Sequence, residues 1–237
     1  GFQNAKKNFS TGDWLKLANQ KILQCKKINK TPILVGGTGL YFKALTEGLV
    51  NIPKIPINFR NKVRNLHKRI GQKKFFQKLL QLDPMIKDQI NSLDVQRSLR
   101  AYEIKSFTKK SMISWFKNTK SDYDHNDFLK ICIDFPRKDL LDRINKRSEN
   151  MIKLGAILEV KKFIKLRVPK NKSLSKAIGI SEIKQYLQKK IQTEQLIEKI
   201  SIKTRQYAKR QSTWARGHMK DWNKVNPAGL EKLLKKI

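Results

Sequence analysis

Two apolar runs that stop abruptly, PILVGG at 32–37 and LKICIDF at 129–135, constrain the fold of this chain more than any other feature. Each reads as a short buried strand, whereas the segments between and after them repeat apolar residues at three and four, as helices do. A strand buried on both faces belongs to a parallel sheet, which needs hydrogen-bonded neighbours on its flanks and cover above and below. Two isolated strands cannot supply that, and the chain opens on Gly1 rather than Met. The expectation is the C-terminal portion of a longer α/β protein whose first strand and loop lie upstream.

The first run also poses a chemical question. In ILVGGTGLYF, residues 33–42, the strand gives way to three glycines around a threonine and then to a helix pattern. Glycines at such a turn let backbone amides approach an anion or a nucleotide closely. The sequence has no G-x-x-x-x-G-K-[ST] loop, which disfavours a self-contained nucleotide hydrolase.

The remaining elements read as helices. Trp14, Leu15, Ala18, Ile22 and Cys25 predict a capped amphipathic helix over 11–27, and a second helix is expected over 40–49 before VNIPKIP breaks it. Phe59, Val63, Leu66 and Ile70, then Phe75, Phe76, Leu79 and Leu80, then Val95, Leu99 and Tyr102 keep helical spacing with no convincing strand. This segment is expected to be a helical insertion, 56–118, between two parts of a core, 1–55 and 119–237. The second strand, 129–135, leads into one long helix over about 138–165 with Leu140, Ile144, Met151 and Leu154 as its buried stripe. A polar VPKNKSLSK loop and helices over 181–188 and 193–217 complete the pattern.

Charge narrows the partner. Lys and Arg number 53 against 19 Asp and Glu, a net +34 that favours a polyanion through counterion release. The balance of 41 Lys to 12 Arg also suits drift in an AT-rich genome, so the arginines are the more telling residues, being kept where a planar fork is needed. Eleven of them cluster, at 60, 64 and 69, at 97 and 100, at 137, 143 and 147, and at 205, 210 and 216, with Arg167 standing alone. No stretch approaches the roughly 20 apolar residues of a membrane span, and the N-terminus lacks the apolar core of a secretory signal, so a soluble cytoplasmic protein is expected. The cysteines, Cys25 and Cys132, have no metal-ligand spacing, and His67, His125 and His218 are scattered as ordinary surface residues would be.

Three constellations carry candidate chemistry. In PRKDLLDRINKR, Arg143 and Arg147 lie one helical turn apart, where they could grip a pyrophosphate or simply form a solvated basic face. In TRQYAKRQSTWAR, Arg205, Lys209 and Arg216 share one side of a helix. Trp214 there reads as core or as a base-stacking platform, and packing gives no reason for Gln206 and Gln211. In LDVQRSLRAYEI, Asp94 is a plausible N-cap that sets Gln96 and Arg97 at the positive end of a helix.

PILVGGTGLYFKALTEGL, DVQRSLRAYE, PRKDLLDRINKR and TRQYAKRQSTWAR together, in this order, resemble the bacterial tRNA dimethylallyltransferases, also called tRNA isopentenyltransferases. The resemblance implies a P-loop-NTPase-like α/β core, partial here, with a helical insertion and C-terminal helices. It implies transfer of a dimethylallyl group from dimethylallyl diphosphate to the exocyclic amine of the adenosine 3′ of the tRNA anticodon. Mg2+ is implied as cofactor, with its main ligand in the upstream segment, and the tRNA anticodon stem-loop as partner of a monomeric enzyme. By motif, Thr38 and Arg147 are implied to be catalytic, and Gly36, Gly37, Gly39 and Arg143 to line the donor site. Arg60, Gln96, Arg97, Ser98, Leu99, Arg100, Lys176, Ala177, Ile178, Gly179, Ile180, Ser181, Arg205, Gln206, Lys209, Arg210 and Gln211 match positions implied to touch tRNA. The phosphate loop and the aspartate that supplies a base are absent from the sequence, so the chain is expected to bind tRNA but to transfer poorly. The alternative is a non-catalytic basic RNA-binding module.

Overall fold

The computed structural model describes residues 3–117 and 119–235. Along them run α1 (Thr11–Lys27), α2 (Gly39–Thr46), α3 (Ile57–Leu82), α4 (Val95–Thr108) and α5 (Met112–Lys117). Then follow β1 (Ile131–Ile133), α6 (Arg137–Lys153), α7 (Ala156–Lys165), α8 (Ile180–Leu187), α9 (Thr193–His218), β2 (Asn223–Val225) and α10 (Pro227–Leu234). No helix among the described residues is long and apolar enough to cross a membrane. The chain forms two compact units, one of residues up to 43 together with 125 onward, the other of residues 44–124, which contains the expected insertion segment.

The second unit is helical because its apolar residues recur at three and four, and their stripe changes phase once. Residues 59, 63, 66 and 70 mark one face, and the stripe resumes at 75, where Gly71, at φ 74° and ψ 167°, breaks the helical path of α3. Only glycine adopts that backbone without strain. Leu79, Ile86, Ile90, Ala101, Ile104 and Met112 close the core, with Phe59 and Phe76 against it. Asp94 caps α4 by accepting the Arg97 amide at 2.9 Å.

In the first unit, Ser10 and Asp13 form a reciprocal capping box that starts α1: the Ser10 hydroxyl accepts the Asp13 amide at 3.2 Å and the Asp13 carboxylate accepts the Ser10 amide at 2.9 Å. Trp14 on α1 stacks on Tyr41 of α2, centroids 4.7 Å apart. The core lies among α7, α8 and α9, where Ala156, Val160, Ile180, Ile183, Leu196 and Ile200 pack together. β1 and β2 pair in parallel, with Cys132 opposite Lys224.

Three sequence expectations are corrected. PILVGG forms no strand; Ile33 is 79 % and Val35 91 % exposed, and no ladder partner reaches them among the described residues. The second expected strand shrinks to 131–133, with Leu129 and Ile133 exposed, and its partner comes from the segment after α9 rather than from a buried sheet. The expected 138–165 helix is two: Gly155, at φ 103°, turns the chain between α6 and α7, and Leu154, expected in the buried stripe, is exposed at this break.

The GGTG turn is seated on α9. The Gln211 side chain donates from Nε2 to the Gly37 carbonyl at 2.8 Å, which accounts for one of the two glutamines that packing had not explained. Gly39 lies so close to the Trp214 indole that a methyl group there would run into the ring, whereas at Gly36 a methyl would meet only Phe42 at ordinary contact, 3.8 Å. None of these three glycines has a positive φ, so the turn uses Gly39 for space rather than for conformation.

Glu182 is buried at the start of α8. It accepts the Gly179 amide at 2.9 Å and the Ser181 hydroxyl at 2.6 Å, and pairs with Lys203 of α9. Burial pushes its carboxyl up, but the Lys203 ammonium, the Ser181 hydroxyl and the backbone amides outweigh that and hold it below the ordinary glutamate value.

Two predictions follow from this packing. Gly39→Ala should destabilise the chain by about 1–3 kcal/mol through overpacking against a ring that cannot yield, while Gly36→Ala should be near neutral; thermal unfolding of both distinguishes seat from bystander. Glu182→Gln should lower stability at neutral pH by about 1–3 kcal/mol. Because the folded pKa is depressed, the contribution of charged Glu182 is full above its ordinary value of 4.5 and is lost as pH falls through the lower folded value. The difference between parent and variant in urea unfolding should therefore shrink in acid.

Candidate functional site

The turn places Thr38 at the entry of α2. Its carbonyl accepts the Tyr41 amide at 2.9 Å, and the residue is exposed. Gly36 and Gly37 precede it on the same exposed stretch. From the same end of the first unit, Phe42 meets Trp222 edge to face at 5.5 Å, tying α2 to the segment entering β2.

Arg143 and Arg147 are both exposed on α6, on a face adjoining the one that buries Ile144 and Ser148, and the helix packs along α9. The Arg143 guanidinium sits over the Phe135 ring at 4.8 Å, a contact that fixes its plane. Arg147, one turn on, makes no ion pair among the described residues. One cation is thus held and its neighbour is available to an anion.

The outer side of α9 is an open groove lined by Gln206, Lys209, Arg210, Thr213, Trp214 and His218. His218 stacks flat on Trp214, 4.5 Å between centroids and 6° between planes, and its Nδ1 donates to the Trp214 carbonyl at 3.1 Å. Arg210 lies over Tyr207 at 5.5 Å. Arg205 is half-buried, while Gln206, Lys209 and Arg210 are exposed. His218 therefore completes an aromatic stack instead of standing as an isolated surface residue, a role its sequence neighbours do not reveal.

The stretch 176–181 divides. Lys176 and Ala177 are exposed, Ile178 packs on the core, Gly179 and Ile180 are buried, and the Ser181 hydroxyl is taken by Glu182. In the second unit, Gln96 is exposed and Arg97 is bound to Asp94 at 2.8 Å. Ser98 is fully buried, donating to the Asp94 carbonyl at 2.7 Å and accepting from Gln72 at 3.1 Å, and Leu99 is half-buried. Arg60 and Arg100 converge on Glu103, a residue the sequence reading did not single out although it closes the same DVQRSLRAYE block.

Electrostatics mark which groups can react. The Lys130 ammonium, 3.0 Å from Asp221, holds that carboxyl below the usual range against a smaller opposing effect of burial, with help from the residue's own amide and from His125 at 3.1 Å. Burial pushes the Cys132 thiol up, and Asp134 adds to it against Lys224, so this cysteine is a poor nucleophile. Among the described residues no group of three His, Cys, Asp or Glu side chains could hold a metal ion. These side chains do not fit an Mg2+ cage; a divalent cation of that hardness is commonly held by one or two carboxylates and the phosphates of a substrate.

Residues 1–218 match the IPP transferase family. The tRNA dimethylallyltransferase of Pelagibacter ubique is 54 % identical over 237 residues, which are 100 % of this chain and 76 % of that protein. That of Rickettsia massiliae is 40 % identical over 222 residues, 93 % of this chain and 61 % of that protein. Among solved structures, the tRNA isopentenylpyrophosphate transferase of Bacillus halodurans superposes with a TM-score of 0.59 at 27 % identity, covering 94 % of this chain and 69 % of that one. A eukaryotic dimethylallyltransferase acting on tRNA shares the fold, with a TM-score of 0.78 at 22 % identity over 95 % of this chain and 58 % of that one. The expected class, a P-loop-like α/β core with a helical insertion, is the fold these transferases have. With the family matched from residue 1 to 218 and a relative more than half identical along the whole sequence, the chain belongs to the IPP transferase family.

Proposed function

We propose that this chain carries the tRNA-facing and diphosphate-facing part of a tRNA dimethylallyltransferase. The exocyclic amine of the adenosine 3′ of the anticodon attacks the first carbon of dimethylallyl diphosphate. The carbon–oxygen bond breaks, diphosphate leaves with the electron pair, and the amine loses a proton. The observation that carries this reading is that α9 serves three motifs at once. Gln211 and Trp214 seat the GGTG turn, α6 with its two arginines packs along the helix, and the outer side presents Gln206, Lys209 and Arg210.

Charge builds on the leaving diphosphate in the transition state, and a cation that is free beforehand stabilises it most. That is the role given to Arg147, with Arg143 beside it and Thr38 of the turn next to the target base. Gly36 leaves the approach to that turn open, while Gly37 and Gly39 give the room in which Gln211 and Trp214 seat it. An adenine must leave its stack to be modified, and a flipped base is commonly held by aromatic faces. Arg205, Gln206, Lys209, Arg210, Lys176 and Ala177 are assigned to the RNA, as are Arg60, Gln96, Arg97 and Arg100. Ser181 is assigned to the RNA edge beside them, while Ile178, Gly179, Ile180, Ser98, Leu99 and Gln211 support those contacts from beneath. The enzyme acts as a monomer in the cytoplasm, with Mg2+ as its cofactor, bound chiefly outside the side chains named here.

In a version of the chain extended upstream, Arg147→Ala should lower the formation of prenylated adenosine by roughly 10²- to 10³-fold and weaken binding of inorganic diphosphate. Affinity for tRNA should change by less than about threefold. Mass spectrometry of anticodon-loop nucleosides, beside equilibrium binding of diphosphate and of tRNA, reads all three. Equal losses in turnover and in tRNA affinity would make Arg147 an RNA contact. Salt-sensitive RNA binding with no prenylated product from either this chain or the version extended upstream would favour the non-catalytic RNA-binding module.

A further inference from the structure

In the second unit, one buried carboxylate gathers three arginines. Glu103 on α4 has a side chain only 3 % exposed. Arg60 of α3 donates from Nε to its Oε2 at 3.2 Å, Arg64 of α3 brings Nε to 3.9 Å from Oε1, and Arg100 of α4 brings Nη1 to 3.6 Å from Oε2. The three arginine side chains remain 37 %, 45 % and 43 % exposed.

The stoichiometry is the informative part. One arginine neutralises one carboxylate, and adding two more leaves a local surplus of two positive charges whose mutual repulsion opposes folding. Arg60 and Arg64 approach Glu103 through Nε, which leaves N–H donors on their terminal Nη groups for another acceptor. A surplus of oriented, half-exposed guanidiniums around a buried anion is the arrangement that a second, external anion completes. Phosphate suits it because a planar fork binds two phosphate oxygens at once.

Building on the tRNA-binding reading above, we infer that Glu103 is a positioning residue. From beneath, it aims Arg60, Arg64 and Arg100 as one clamp for the phosphodiester backbone of the RNA, and Arg64 is a direct phosphate contact. Glu103 itself never meets the RNA. Its effect has a sign that sets it apart from bulk charge. Removing a carboxylate raises the net positive charge and by simple attraction should tighten RNA binding, whereas losing the anchor that orients three forks should weaken it.

The test is binding of an anticodon stem-loop RNA to the full chain across a salt series, with Glu103→Gln and Arg64→Ala beside the parent, and with circular dichroism and thermal unfolding to confirm folding. Glu103→Gln should bind about fivefold more weakly despite its extra positive charge. Arg64→Ala should weaken binding and reduce the slope of log affinity against log salt by about one. Glu103→Gln binding as tightly as the parent, or more tightly, would overturn the positioning role. An unchanged slope and affinity in Arg64→Ala would remove the clamp, and this variant decides the question alone if Glu103→Gln does not fold. A parent that fails to bind the stem-loop would sink the tRNA reading itself, whereas a parent that binds while both variants match it would sink only this inference.

Discussion

The contact between Gly39 and the Trp214 indole is the constraint on which the first unit's site depends. An indole can occupy that place only because residue 39 has no side chain. The ring is itself held, stacked by His218 on one face and anchored on a helix of 26 residues whose first half buries Leu196 and Ile200 in the core. Stiffness therefore passes from the core, along α9, to the turn. Gln211 adds direction by taking the Gly37 carbonyl, so both ends of the GGTG segment are referred to the same helix. A loop positioned by a rigid element is what the role proposed for Thr38 requires, since small displacements at a reacting centre cost large factors in rate.

The second principle of the structure is the use made of scarce acids. In a chain with 53 basic and 19 acidic side chains, self-repulsion is a standing cost of compactness. Several acids are placed where each orders more than one neighbour. Glu182 binds an amide, a hydroxyl and an ammonium at the start of α8; Asp221 joins Lys130 and His125 beside β1 and β2; Glu103 collects three guanidiniums. Such hubs fix where cations point, which uniform surface neutralisation by mobile ions could not do.

What could be read from the sequence divides along the range of the forces involved. α1 begins and ends where its pattern predicts because its start is written locally, in Ser10 and Asp13. The Asp94 cap of α4 was legible for the same reason. The break at Gly155 was legible in principle, because a glycine after a helical run is a common stop, but an apolar stripe continuing on both sides masked it. The strand expected at 32–37 and the pairing of 131–133 with 223–225 could not be read locally, since a strand exists only through its partner. Among the site residues, the arginines were visible as clusters. Gln211 was visible as a polar residue without a packing reason but not its partner, and Glu103 was not visible at all, because what identifies each is a contact made across 174 or 43 residues of chain.

Whether the positive charge reflects function or compositional drift is decided by how the arginines are held. A lysine-rich face needs no geometry to attract a polyanion, and most of the 41 lysines add only to a diffuse field. The arginines are held differently. Arg143 lies over Phe135, Arg210 over Tyr207, Arg97 is fastened to Asp94, and Arg60, Arg64 and Arg100 share Glu103. Aromatic faces and carboxylates engage a planar fork in ways an ammonium does not reproduce. Drift toward lysine would have spared arginine at such places, where replacement loses orientation as well as contact. In the proposed function the lysines supply the field that draws RNA in, and the oriented arginines supply its register.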